Sequence, residues 1–191
     1  MKNGELSRVA EALQLLTEGM YPDISDHQKD VADLCEEYGR YVGMDGIERE
    51  TFVLAGHLHD AGKLLVPAYI IHKPARLTNV EMAAMHGHCD LAMYFLAPLG
   101  VDPRIADVIR QHHEDYDGGG YPSGLRGEEI SPWARIVRAL DSLAALIADR
   151  PYHQGISQRS ALHLMRSQSE RYDPEVLRTV FAMFNEPWGM S

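Results

Sequence analysis

Two cysteines, Cys35 and Cys89, are all that the 191 residues offer for cross-linking. They are too few for a disulfide framework and sit inside helical patterns, which suits a reduced cytoplasm. No apolar run approaches the roughly 18 residues of a membrane span, so no membrane association is expected. The opening stretch MKNGELSRVAEALQLL mixes acids and an arginine among its apolar positions and lacks a small-residue cleavage site; it reads as a folded helix rather than a secretory leader. Basic residues are outnumbered. The formal net charge of −10 argues against an extended cationic face and hence against non-specific nucleic-acid binding, so local cations would have to hold any phosphate-bearing ligand. Two-residue alternation, internal repeats and low-complexity linkers are absent too.

What is present is ordinary globular composition, 45% apolar and 24% charged, in a chain long enough for one full core. Helical spacing runs through almost all of it: 5–19, 24–43 and 48–58, then 78–96 behind a Thr78/Glu81 capping box, and 103–113 behind Asp102-Pro103. Pro132 opens another helix to about residue 149, and two shorter ones follow near 157–168 and 174–184. The expected fold is a single all-α domain.

Ten histidines are many for this size, and they cluster, which points toward metal. HLHDAGK at 57–63 pairs an imidazole with a carboxylate able to bridge two ions, a donor set suited to Fe, Mn or Zn, and Lys63 lies four residues after His59. Taken alone, such a pair is more often a surface histidine and a turn-capping aspartate. In HHEDYDGGGYP at 112–122, His112 and His113 would point about 100° apart on a regular helix, so both serve one site only if it is large or the helix is ending. Asp141 adjoins the apolar stripe Ile136, Val137, Leu140, Ala144 and Ile147, where an unpaired carboxylate is costly to bury. His27 shares the inward face of Val31. Spacing alone does not choose between His86 and His88.

In order and spacing, His27, HDAGK (59–63), KPARLT (73–78), His88, HHEDYDGGGYPSGLRG (112–127) and Asp141 resemble the HD-GYP family, a branch of the HD phosphohydrolases whose members hydrolyse cyclic di-GMP. The likeness covers about residues 21–180. It implies an HD-domain helical bundle around a buried di- or trinuclear metal site, organised as an N-terminal helix (1–20), the HD-GYP domain (21–185) and a C-terminal tail (186–191). By position, the ligands implied are His27, His59, Asp60, His88, His112, His113 and Asp141. Asp60 would bridge two divalent ions, iron first and manganese as the alternative, and the motif position selects His88 over His86. Members with a third ion carry a glutamate four residues before the first histidine, and Asp23, one methylene shorter, stands there. Lys63, Arg150, Gly120 and Tyr121 are the implied substrate contacts, the last two in the loop beside the metals. Two departures stand out: His153 where a second basic residue is usual, and Ala144 where the last metal helix usually has aspartate.

Such a centre can activate a hydroxide between two ions and polarise a phosphoryl oxygen. The activity implied is hydrolysis of the 3′–5′ phosphodiester of cyclic di-GMP to pGpG, and onward to GMP, in cytoplasmic second-messenger signalling. Asp60 and Lys63 are the implied catalytic groups, and a regulatory or diguanylate-cyclase protein is the expected partner. The alternatives are an HD phosphohydrolase for another nucleotide such as cyclic GMP-AMP, and, given the departures at Ala144 and His153, a weakly active or inactive cyclic-dinucleotide sensor or docking module.

Overall fold

The computed structural model describes residues 3–149 and 154–188. Helices α1 (Asn3–Met20), α2 (Pro22–Tyr41) and α3 (Gly46–Leu58) are followed by a 3₁₀ turn at Ala61–Leu65 and the one-turn α4 (Ala68–Ile71). Then come α5 (Asn79–His86), α6 (His88–Leu96), α7 (Pro103–Gln111), α8 (Pro132–Ile147), α9 (Gln158–Ser167) and α10 (Pro174–Met183). No strand occurs among the described residues.

The helix starts follow local chemistry. Asp45 accepts from the Glu48 amide at 2.8 Å, and Thr78 and Glu81 form the full capping box. Asp102, Ser131 and Asp173 each cap a helix whose first residue is proline, where the missing N–H costs nothing. Helix α8 is the centre of the bundle, burying Val137, Leu140, Leu143 and Ala144 against α2, α7, α9 and α10. Phe52 of α3 meets Trp133 of α8 edge-on, with ring centroids 5.2 Å apart. Leu6 and Ala10 join α1 to the same core.

The helix expected over 78–96 is in fact two, broken at Gly87. The sequence pattern missed the break because Gly87 keeps right-handed backbone angles (φ −60°, ψ −17°). The Met85 carbonyl accepts from the His88 imidazole instead of only serving the ladder. Helices α3 and α7 both end just before a predicted site, so His59-Asp60 and His112-His113 lie at helix C-termini.

Candidate metal centre

The last four carbonyls of a helix have no intrahelical partner, and three histidines use them. His59 Nδ1 lies 2.6 Å from the Gly56 carbonyl, and His88 Nδ1 2.7 Å from that of Met85. His112 Nδ1 lies 3.0 Å from the Ile109 carbonyl. A carbonyl can only accept, so each Nδ1 carries the proton and each Nε2 keeps its lone pair, aimed inward. Metal-binding histidines are oriented in this way.

Two groups of donors result. Asp60, His88, His112 and His113 form one, and His27, His59 and Asp141 the other; within each, the ligand atoms lie within 4.8 Å of one another. Asp60 stands between them. Its Oδ1 is 3.3 Å from His88 Nε2 and 3.7 Å from His112 Nε2, while its Oδ2 is 3.4 Å from His59 Nε2. Asp141 meets His27 Nε2 at 2.7 Å and His113 Nδ1 at 4.0 Å. All seven residues expected from the sequence thus converge. His88 is fully buried in the cluster, while His86 lies outside it against Tyr121.

The donor chemistry fits divalent cations. His88 Nε2 and His112 Nε2 are 3.3 Å apart, two lone pairs facing each other with a carboxylate oxygen beside them. His59 Nε2 and Asp60 Oδ1 are sealed from water without a hydrogen bond. Buried acceptors with no donor among them are expensive, and a cation between them removes that cost. The titration of the side chains agrees with this. Burial lowers the His112 pKa to about 4, with the neighbouring His59 and His88 adding to the effect against the pull of Asp60. Burial and His112 hold His113 well below the ordinary histidine value. Both rings are therefore neutral donors at pH 7. Burial alone would raise the carboxyls of Asp60 and Asp141, but Lys63 and His59 around Asp60, and His27 and His59 around Asp141, hold them well below the carboxylate range. Burial lowers the His59 pKa, but Asp60 and Asp141 outweigh it and the net shift is upward.

Lys63 Nζ bonds Asp60 Oδ2 at 2.5 Å and also lines a cavity of about 210 Å³ with Tyr21, Asp23, Ile71, His72 and Met85. Asp23 is exposed in the first turn of α2 and belongs to neither donor group. Arg150 and His153 lie outside the described residues.

The acids of HHEDYD form the scaffold of the loop, a role the sequence reading did not assign. The buried Glu114 accepts from the Ser123 amide at 2.7 Å and the Leu125 amide at 3.0 Å. Asp115 takes Nε and Nη2 of Arg138 at 2.8 and 2.6 Å, and Nε of Arg171 at 3.0 Å. Asp117 accepts from the Gly119 amide at 2.8 Å. A Cβ on Gly120 would strike the His113 carbonyl and the Asp115 amide, and one on Gly62 would strike the His88 carbonyl. Gly120 therefore has a packing role: it lets the loop close on the histidine pair. Tyr121 lies stacked on the rings of both His86 and His113.

The model of the HD domain family matches residues 11–176. The 3′3′-cGAMP-specific phosphodiesterase 1 of Vibrio cholerae is 31% identical over 156 residues, covering 81% of this chain and 36% of that protein. The cyclic di-GMP phosphodiesterase PA4108 of Pseudomonas aeruginosa is 40% identical over 126 residues, covering 65% and 30%. The chain thus spans about a third of the length of these relatives. Among solved structures, Bd1817, an HDG"Y"P protein of Bdellovibrio bacteriovorus, superposes with a TM-score of 0.68 at 17% identity over 96% of this chain and 65% of that one, a likeness of fold.

Proposed function

Because the chain belongs to the HD domain family, in its HD-GYP branch, we propose that it is a metal-dependent phosphodiesterase that opens cyclic di-GMP to linear pGpG, with residues 21–185 as the catalytic unit. The observation that carries this reading is the convergence of five imidazoles and two carboxylates on a largely buried centre, with one lysine beside it. His27, His59 and Asp141 would hold one ion, His88, His112 and His113 a second, and Asp60 both. Bound iron, or manganese in its place, would supply Lewis-acid polarisation of the phosphoryl group and a nucleophile at neutral pH.

The protein's own residues do the rest. Protons fixed on the Nδ1 atoms of His59, His88 and His112 keep the Nε2 lone pairs aimed inward. Lys63, within reach of Asp60 and open to the adjoining cavity, neutralises the non-bridging phosphate oxygens as charge builds on them. Arg150 is assigned to the second phosphate and Tyr121 to the wall of the substrate channel. The Glu114-tied loop screens the centre from bulk water. Net charge then presents no obstacle, since the cationic potential is local.

A second reading, hydrolysis of 3′3′-cyclic GMP-AMP, is favoured by the matching V. cholerae enzymes specific for it. The test incubates reduced, iron- or manganese-loaded protein with each dinucleotide and follows linear product by chromatography, with Asp60→Ala alongside. Product from cyclic di-GMP that disappears in Asp60→Ala supports the assignment. Tight binding without turnover by fully metallated protein refutes it.

A further inference from the structure

His113 differs from its fellow donors. His59, His88 and His112 are each oriented by a backbone carbonyl, whereas the His113 side chain has no hydrogen bond among the described residues and meets Asp141 only at 4.0 Å. It is also more open, with 19% of its side chain exposed against 0–1% for those three. Ring packing orients it, with the His112 and His88 rings at 4.0 and 5.1 Å and Tyr121 on the loop side. Tyr121 supplies a stack with centroids 4.7 Å apart and planes inclined by 30°, and the Tyr121 amide bonds the His113 carbonyl at 3.1 Å. Tyr121 is in turn backed by His86, whose ring lies 3.6 Å away and 9° from parallel. The break at Gly87 makes this arrangement work: His88 ends up buried among the ligands, and His86, two residues earlier at the end of α5, lies against the loop.

We propose that His86 is a positioning residue for the metal centre: it presses Tyr121 against His113, fixing a ligand ring that no backbone carbonyl among the described residues holds, and latches the 114–125 loop to α5. The inference rests on the metallohydrolase reading and adds a residue to it. Offset stacking of flat rings supplies the contact, so an aromatic without a ring nitrogen should serve as well as imidazole. Partners that orient a ligand typically change metal affinity by 10- to 100-fold.

The test is manganese titration of the full metal-free chain, following heat and the free-ion EPR signal, for wild type, His86→Ala and His86→Phe. Aromatic NMR of Tyr121 is recorded on the metal-free proteins before titration, where stacking shows as an upfield ring-proton shift. In His86→Ala one of two ions should bind about 10-fold more weakly, with the Tyr121 shift lost and the other ion unaffected; His86→Phe should restore both readouts. Unchanged affinities in His86→Ala overturn the proposal. So does His86→Phe binding as weakly as His86→Ala, because the ring nitrogen rather than the stack would then matter. Wild type that binds two ions yet leaves cyclic dinucleotides intact overturns the phosphodiesterase reading alone, and wild type that takes up no ion overturns both.

Discussion

Replacing Glu114 with glutamine should damage the loop almost as much as removing the side chain. The carboxylate is 1% exposed and uses both oxygens, Oε1 for the Ser123 amide and Oε2 for that of Leu125. Glutamine has one oxygen; its NH₂ would face the second amide donor to donor. Hydrogen bonds to a charged acceptor are worth about 1.5–3 kcal/mol each, and a stranded buried group costs about 1–3 kcal/mol. Glu114→Gln should therefore lose about 2–3 kcal/mol and Glu114→Ala about 3–4 kcal/mol, the loop amides regaining some water in the second case. Urea unfolding of metal-free protein reads the total. Amide exchange at Ser123 and Leu125 reads the local part, faster by about tenfold for each 1.4 kcal/mol. A Glu114→Gln variant within about 0.5 kcal/mol of wild type, with both amides still protected, would refute the two-oxygen clamp.

Other outcomes follow from the same geometry. Gly120→Ala must push the loop off the His113 carbonyl, at about 1–3 kcal/mol by analogy with overpacking, and should weaken manganese binding; unchanged unfolding and binding would contradict the close approach. Asp115→Ala strands the buried Arg138, and since Arg171 is partly solvated the loss should fall near the lower end of about 3–5 kcal/mol, measured by urea midpoint. Lys63→Gln should keep full metal content while turnover falls about 10²–10³-fold; loss of metal instead would make Lys63 structural. Metal-free protein should weaken as pH falls from 7 to 5. The folded pKa of His112, about 4, lies below its unfolded value of about 6.5, so the unfolded chain binds the proton first, at a cost of about 2 kcal/mol by pH 5. His113 acts in the same direction and His59 opposes it, while the Asp60 and Asp141 contributions fade only below about pH 4. An unchanged or higher urea midpoint at pH 5 would contradict this.

Much of the candidate site could be read from the sequence because its candidate donors lie in local motifs whose order alone is distinctive, and because caps such as Thr78/Glu81 and Asp102-Pro103 mark helix starts. Helix ends were less legible, and they decide the chemistry. Only the structure shows that His59, His88 and His112 borrow the loose carbonyls of Gly56, Met85 and Ile109. Gly87 hid the break between α5 and α6, since its angles remain helical, so His86 showed no role. Glu114 and Asp115 read as mere acidity because their partners are remote in sequence: Ser123 and Leu125 across the loop, and Arg138 and Arg171 on other elements.

The central claim is that Asp60 joins two ion sites, and metal stoichiometry tests it most directly. Protein purified without air, or metal-free protein reloaded with manganese, should hold two ions per chain. Asp60→Ala should hold at most one, bound weakly. A wild-type chain that binds no divalent ion, or an Asp60→Ala variant that retains two at wild-type affinity, would contradict the account.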